Sequence, residues 1–456
     1  MRRMTEGSIA GHLTTYAVPL ILGNLFQLLY NAVDSVVIGR YAGEAAVAAV
    51  SAANPVMTIA VLGVSGLTIG ASVLMSRFFG AGDEKALRRE TATICLFGLA
   101  VSVVILLMGI PLAVPFLRLL STPEEVLEQS AAYLRVVLLG FPFTFQYNAM
   151  ASAMRSVGDS KGPVWCLALA SALNTGLDIL AVGVLRWDVM GAAAATVIAQ
   201  AVSALLCLWL MRRMPLLRLS RREMRIDRPL LGETLRIARN ELRMDPALLR
   251  ETLKLGSVTA LQQVSLPLGK VIIQSVINAQ GVAMIAAFNA CARVDDFAIV
   301  PAQSISAALM TCMAQNLGAK KKERARKSFW VGLTIELCYG VCVCLAAYLL
   351  RRPIMLLFAP SPEAEMVALG VAYLGILAPF YMFPAFNNTL QGSFRALRKM
   401  PVTLASTVLQ MGTRVILIAL WVPRVGITGA AWATIVGWIL MATLEGSYLH
   451  HVWKQM

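Results

Sequence analysis

Four polar residues stand out in a chain that is apolar over long stretches. In LASALNTGLDILAVGVL, Leu169 to Leu185, Asn174 and Asp178 are four apart, so a helix places them on one face, one turn from each other. A second acid, Asp34, interrupts the apolar run NLFQLLYNAVDSVVIGR, and Thr196 follows Asp188 by eight residues in the next run. Two carboxylates, an amide and a hydroxyl are the hard oxygen donors that suit Na⁺. The same carboxylates can instead take up and release a proton. A charge at the centre of a bilayer span costs about 3 kcal/mol or more, so each such acid is a candidate for function. Asp34 lies six residues before Arg40 and Asp178 eight before Arg186, roughly 9 and 12 Å below the outer ends of their spans at 1.5 Å per residue.

The elements that hold these residues follow from composition. Of 456 residues, 58% are hydrophobic and 14% charged, against about 25% charged in soluble proteins. Apolar runs near the roughly 20 residues needed to cross a bilayer recur twelve times, from 13–39 to 427–449. Strand-like alternation is absent, and lipid admits no open sheet, so the fold class is an all-α integral membrane protein. The fourth, fifth and tenth spans fall near 127–154, 163–185 and 366–394.

A net charge of +15 would suggest nucleic acid in a soluble protein, but its distribution excludes that reading. Loops on one side hold Arg40, Arg118, Arg186, Arg351, Arg352 and Arg424, whereas most of the 40 Lys and Arg lie on the side of the termini. The positive-inside rule then puts both termini in the cytoplasm of a multi-pass protein of the cell (inner or plasma) membrane. Arg135, Lys270, Arg293 and Arg414 remain inside spans, with Asp295, Asp296 and Glu336 as candidate partners in the second half. Arg293 and Asp296 are three apart and can pair within one helix or meet a substrate. Glu336 is expected to meet Lys270 or Arg414 or to line a cavity, and Glu445, near a helix end, to snorkel. Pro19 in the first span frees a backbone carbonyl. The eight cysteines have no metal-ligand spacing. There is no HExxH and no His-rich metal cluster near a helix end, which argues against a membrane-embedded metalloenzyme and for no cofactor beyond the coupling ion.

The chain also repeats itself. Gly80-Ala81 and Gly191 recur at Gly318-Ala319 and Gly429, an offset of 238, while Tyr133, Asn148 and Arg155 recur at Tyr373, Asn388 and Arg395, an offset of 240. Six spans per copy is an even number, so the copies are parallel, an arrangement typical of secondary transporters. The expected domains are 1–213, a six-helix lobe; 214–250, a basic amphipathic linker on the inner leaflet, in reach of anionic lipid; and 251–456, a second six-helix lobe. Asp34 and Asp178 correspond in the repeat to Ile272 and Ile416, so only the first copy carries this acid pair.

From PLILGNLFQLLYNAVDSVVIGRYAG through RFFGAGD, YLRVVLLGFPF, MRSVGDSKGP and NTGLD to RVDDFAIVPAQSISAALMTCMAQNLGA, the sequence resembles the multidrug and toxic compound extrusion (MATE) family over essentially its whole length. The resemblance implies two six-helix lobes forming a V, a monomer, and multidrug efflux of small organic, cationic compounds in exchange for H⁺ or Na⁺, a route to antibiotic resistance. It carries the family's first-lobe cation site onto Asp34, Asn174, Asp178 and Thr196, with Asn148 beside them. If Na⁺ is the coupling ion, Asp34 and Asp178 are its metal ligands. Pro19 and Gln27 match the bent first helix, and Glu336 is a further cavity candidate. One branch of the family relies on acids in spans seven and ten. Here span seven offers Gln262, Gln263 and Lys270, and span ten none after Glu365, so the second-lobe site of that branch has no counterpart. The alternative is a flippase or exporter of a lipid-linked or other amphipathic metabolite on the same helix repeat. A pyrophosphate carrier calls for a strongly cationic cavity, whereas this chain places buried acids in its first half.

Overall fold

A computed structural model describes residues 3–120, 122–217, 244–359, 361 and 364–455; for 29–36 and 454–455 it describes the backbone alone. The first half contains α1 (Ile9–Tyr41), α2 (Gly43–Ala81), α3 (Glu84–Leu119), α4 (Glu124–Leu139), α5 (Phe141–Ser156), α6 (Lys161–Asp178) and α7 (Asp188–Arg213). The second contains α8 (Pro246–Asn278), α9 (Val282–Gly318), α10 (Lys322–Leu349), the short α11 (Arg351–Leu356), α12 (Glu365–Leu377), α13 (Met382–Ala396), α14 (Met400–Val425) and α15 (Ile427–Gln455). There is no strand among the described residues. Nine described helices are long and apolar enough to cross a membrane, and α12 with α13, bent by 49° across the turn Ala378–Phe380, makes a tenth. The α4–α5 pair, joined at Gly140, and the 33-residue α8 complete twelve segments of spanning length. The expected fourth and tenth spans are therefore each two helices.

The repeat is visible in the backbone as well as in the residues. Between α2 and α3, Gly82 adopts φ +76°, and the Asp83 carboxylate accepts from Ala86 N at 2.9 Å to cap α3. At the offset of 238, Lys320 adopts φ +60° between α9 and α10. Likewise Gly158 at φ +84° between α5 and α6 has Arg398 at φ +64° as its counterpart between α13 and α14. The same left-handed turns are made with glycine in the first copy and with basic residues, at some cost, in the second.

Packing divides the chain into two compact units: Leu22–Ala260 with Met1–Arg3, and Leu261–Met456 with Met4–Ile21. The expected boundary at 213/214 falls at the end of α7 and that at 250/251 inside the first turns of α8; between them, 218–243 is outside the described residues. The division observed in packing instead runs through two helices. The first part of α1 belongs to the second unit, where Met4 N donates to Gln315 Oε1 (2.9 Å) and Tyr16 meets Thr311 (3.3 Å). The changeover comes two residues after Pro19, which lies inside α1. The first part of α8 belongs to the first unit, and glycines explain how. A β-carbon on Gly66 of α2 would lie 2.2 Å from the Ala260 Cα, and one on Gly70 would lie 2.6 Å from Gly256 N. Only a helix surface without side chains admits so close an approach.

Each unit has its own apolar core. In the first, Phe141, Phe145, Met75 and Met154 are fully buried in one cluster and Leu117, Leu134 and Val182 in another. In the second, Tyr373, Leu374, Leu377 and Ile418 form the centre.

Candidate cation site and the polar centres of the second unit

Asn174 and Asp178 occupy the last turns of α6 and are 3% and 0% exposed. The Asn174 side-chain amide donates to Asp178 Oδ2, as the four-residue spacing requires. Immediately after Asp178 the helix widens into a π-turn, Ile179–Val184, closed by Leu185 N to Leu180 O at 2.9 Å. Such turns insert a residue into the helical register, and they recur at functional sites. Asp178 is therefore the last residue on a regular α-helical face before that face is re-aimed.

Two contacts set α1 beside α6. A β-carbon on Gly23 would lie 2.8 Å from Val164, and one on Gly183 would lie 3.4 Å from the Tyr41 ring. The stretches 23–41 and 164–183 are nearly equal in length, so with a common rise per residue the backbone of Asp34 falls in height between Asn174 and Asp178. Its side chain lies outside the described residues. On the far side, Gly191 packs against Ala181, with a β-carbon at 3.1 Å, and α7 runs back along α6. Thr196, five residues further, descends to the height of the Asn174–Asp178 pair. Its hydroxyl donates to Ala192 O (2.9 Å), which leaves its oxygen free to accept or to coordinate. Asp34, Asn174, Asp178 and Thr196 thus share one level on three neighbouring helices of the first unit.

Asn148 is set apart from that level. Gly140, at the head of α5, packs on Gln200, already four residues past Thr196, and Asn148 is eight residues further along, roughly 12 Å by helical rise. Its amide donates within its own helix to Thr144 O (2.8 Å). Pro19 and Gln27 lie on α1 either side of its changeover between units, Pro19 half-buried and Gln27 exposed.

The second unit answers the sequence expectations differently. Glu336 is fully buried, and neither carboxylate oxygen has a hydrogen-bond partner among the described residues. Gly332 and Gly340, one turn either side, pack on Leu309 of α9 and on Met382 and Ala385 of α13. Glu336 therefore faces the interior of the helix packing and meets neither Lys270 nor Arg414. Lys270 pairs instead with Asp296 (3.2 Å), both exposed at 60% and 49%. Arg293 is consequently not paired with Asp296, and it has no ion-pair partner among the described residues. Asp295 accepts from the Tyr381 hydroxyl, and Arg414 lies within electrostatic reach of it.

Two buried acids differ from or escape the sequence reading. Glu445 does not snorkel: it is 0% exposed and accepts from Ser406, because its register with Ala442, Leu449 and Val452 faces the core. Glu90, which the span boundaries leave at a helix end, is also 0% exposed and accepts from Thr252 Oγ1 of α8. Its spacing from Leu87 and Ile94, both buried, is the signal that places it on a packed face.

The model of the MatE family matches residues 19–180 and 259–420, one copy on each half of the chain. The chain belongs to the MatE family. It is 28% identical over 94% of its length, and 90% of the relative's, to "Probable multidrug resistance protein YpnP" of Bacillus subtilis. It is 24% identical to a FAD transporter of Shewanella oneidensis, covering 88% of this chain and 86% of that one. Among solved structures, an outward-facing MATE transporter of the MOP superfamily superposes with a TM-score of 0.87 at 21% identity, over 99% of this chain and 98% of that one. At that identity the likeness concerns the fold. The family is one of multi-pass membrane transporters, not enzymes, and this chain is a transporter of it.

Proposed function

We propose that the protein is a secondary antiporter that exports small organic, cationic compounds in exchange for H⁺ or Na⁺, by alternating access of its two units. The observation that carries the reading is the fully buried Asp178, held by the Asn174 amide at the height of Asp34 and Thr196. A buried carboxylate that must alternately bind and release a cation has to change charge, and an amide or hydrocarbon there cannot. Exchange follows if cation and substrate favour different arrangements of the units, since coupling between two sites is reciprocal. Asp34 and Asp178 would be the Na⁺ ligands if Na⁺ is the coupling ion.

The basic excess on the side of the termini supports a cytoplasmic location for both ends and insertion in the plasma membrane. The multidrug names of the relatives support organic compounds as cargo, and nothing in the repeat calls for more than one chain. The FAD transporter among the relatives supports a second reading, export of an amphipathic metabolite with acidic groups. Everted membrane vesicles decide between coupling ions: the protein should accumulate a fluorescent cation when a pH or a Na⁺ gradient is imposed alone. Accumulation that needs neither gradient would end the antiport reading.

A further inference from the structure

Arg293 lies eleven residues into α9, roughly 16 Å from its first residue, within a helix long and apolar enough to cross the membrane. That is farther from the helix end than a side chain comfortably snorkels. Yet Arg293 is exposed, and among the described residues it has no acid partner. Asp296, three residues on and hence on the same face, is committed to Lys270 of α8 at 3.2 Å, and both members of that pair are exposed. A second base nearby is also short of acceptors: Arg414 Nε is buried without a hydrogen-bond partner, while the acid within its electrostatic reach, Asp295, accepts from Tyr381. Exposed charge at this depth has to meet water rather than lipid, and here bases outnumber acids, Lys270, Arg293 and Arg414 against Asp295 and Asp296.

We infer that Arg293, with the neighbouring Lys270–Asp296 pair, is a recognition point in the second unit for an acidic group (carboxylate, sulfonate or phosphate) on the transported compound. The cargo then includes zwitterionic and anionic amphiphiles and not cations alone. The guanidinium fork matches such groups with two parallel hydrogen bonds. Asp296 on the adjacent turn can take a cationic group of the same molecule in exchange for Lys270. A zwitterion whose charges are roughly 5–6 Å apart, the separation of side chains three residues apart on a helix, fits both. This deepens the reading of the protein as an exporter of small organic compounds and rests on it for the word cargo, though not for the binding.

Tetramethylrhodamine free acid, a zwitterion, and its methyl ester, a cation on the same ring system, separate the charge from the rest. Binding of each dye to the purified protein in detergent is read by fluorescence anisotropy, with no ion gradient. The wild type should bind the acid at least as well as the ester. Arg293→Gln should weaken the acid by about tenfold or more, the weight of one charge-assisted hydrogen bond, and the ester by less than about twofold. Arg293→Lys, which keeps the charge but not the fork, should weaken the acid by about threefold or more and leave the ester unchanged, and it carries the test if the Gln variant does not fold, an unchanged acid affinity then overturning the inference. Equal weakening of both dyes, an unchanged acid affinity in Arg293→Gln, or a wild type that takes only the ester would each overturn the inference. Failure of the export reading looks different: gradient-driven transport into proteoliposomes would be absent while the Arg293-dependent preference for the acid persisted.

Discussion

Replacing Gln262 by leucine removes the centre of a buried network that ties α8 to two other helices, α13 and α14, immediately after α8 enters the second unit. Gln262 Nε2 donates to Gln391 Oε1 at 3.2 Å and to Thr407 Oγ1 at 2.9 Å, and Oε1 accepts from Thr403 Oγ1 at 3.1 Å and from Arg395 at a long 3.5 Å. The partners do not all become orphans. Thr403 also donates to Met400 O (2.9 Å), Thr407 still accepts from Gln391 Nε2 (3.2 Å), and Arg395 still reaches Gln391 Oε1 (3.3 Å). The loss is therefore close to three interhelical bonds at about 0.6 kcal/mol each, roughly 2 kcal/mol in all. Unfolding in mixed micelles titrated with SDS should show that loss for Gln262→Leu, and a cycle with Thr407→Val should show a coupling of about half a kcal/mol or more. Unchanged stability, or strictly additive effects in the cycle, would refute the network as the anchor of α8.

Thr252→Val removes the hydroxyl that serves Glu90 while keeping the shape, leaving neither carboxylate oxygen with a donor among the described residues; a loss of about 1–3 kcal/mol is expected in the same titration. Lys270→Met, by contrast, breaks an ion pair whose members are 60% and 49% exposed and should change stability by less than about 1 kcal/mol, read as a melting temperature close to wild type. Glu445→Gln keeps the acceptor for Ser406 and should transport within about twofold of wild type, whereas Glu445→Leu should cost about 1 kcal/mol by removing it.

The features legible in the sequence are those that depend on local pattern. Apolar runs gave the spans, residues matched at offsets of 238 and 240 gave the two copies, and the four-residue spacing of Asn174 and Asp178 gave their contact, because each rests on pattern along the chain alone. What pattern cannot fix is which neighbour a side chain meets. Asp296 is in reach of Arg293 by spacing, but α8 brings Lys270 to it. Glu445 and Glu90 lie near helix ends, where charge usually finds water, but their registers turn them inward. Asn148 shares polarity with the candidate site but sits at another height on α5. The π-turn after Asp178 has no marker in an all-apolar ILAVGV, since its hydrogen-bond shift carries no residue preference that periodicity detects. The changeover of α8 between units depends on Gly66 and Gly70 meeting Ala260 and Gly256, a long-range match that becomes evident only once α2 and α8 are side by side.

The claim on which the functional account stands is that Asp178 exchanges a cation in step with export. Asp178→Asn keeps the size of the side chain and can still hydrogen-bond to Asn174, but it removes the charge that has to change. The variant, reconstituted at matched amounts in proteoliposomes under an imposed pH or Na⁺ gradient, should reach wild-type levels in the membrane and fail to drive a fluorescent cation against its gradient. Gradient-driven export at the wild-type rate by Asp178→Asn would contradict the account and make Glu336, the buried acid of α10, the next carboxylate to test.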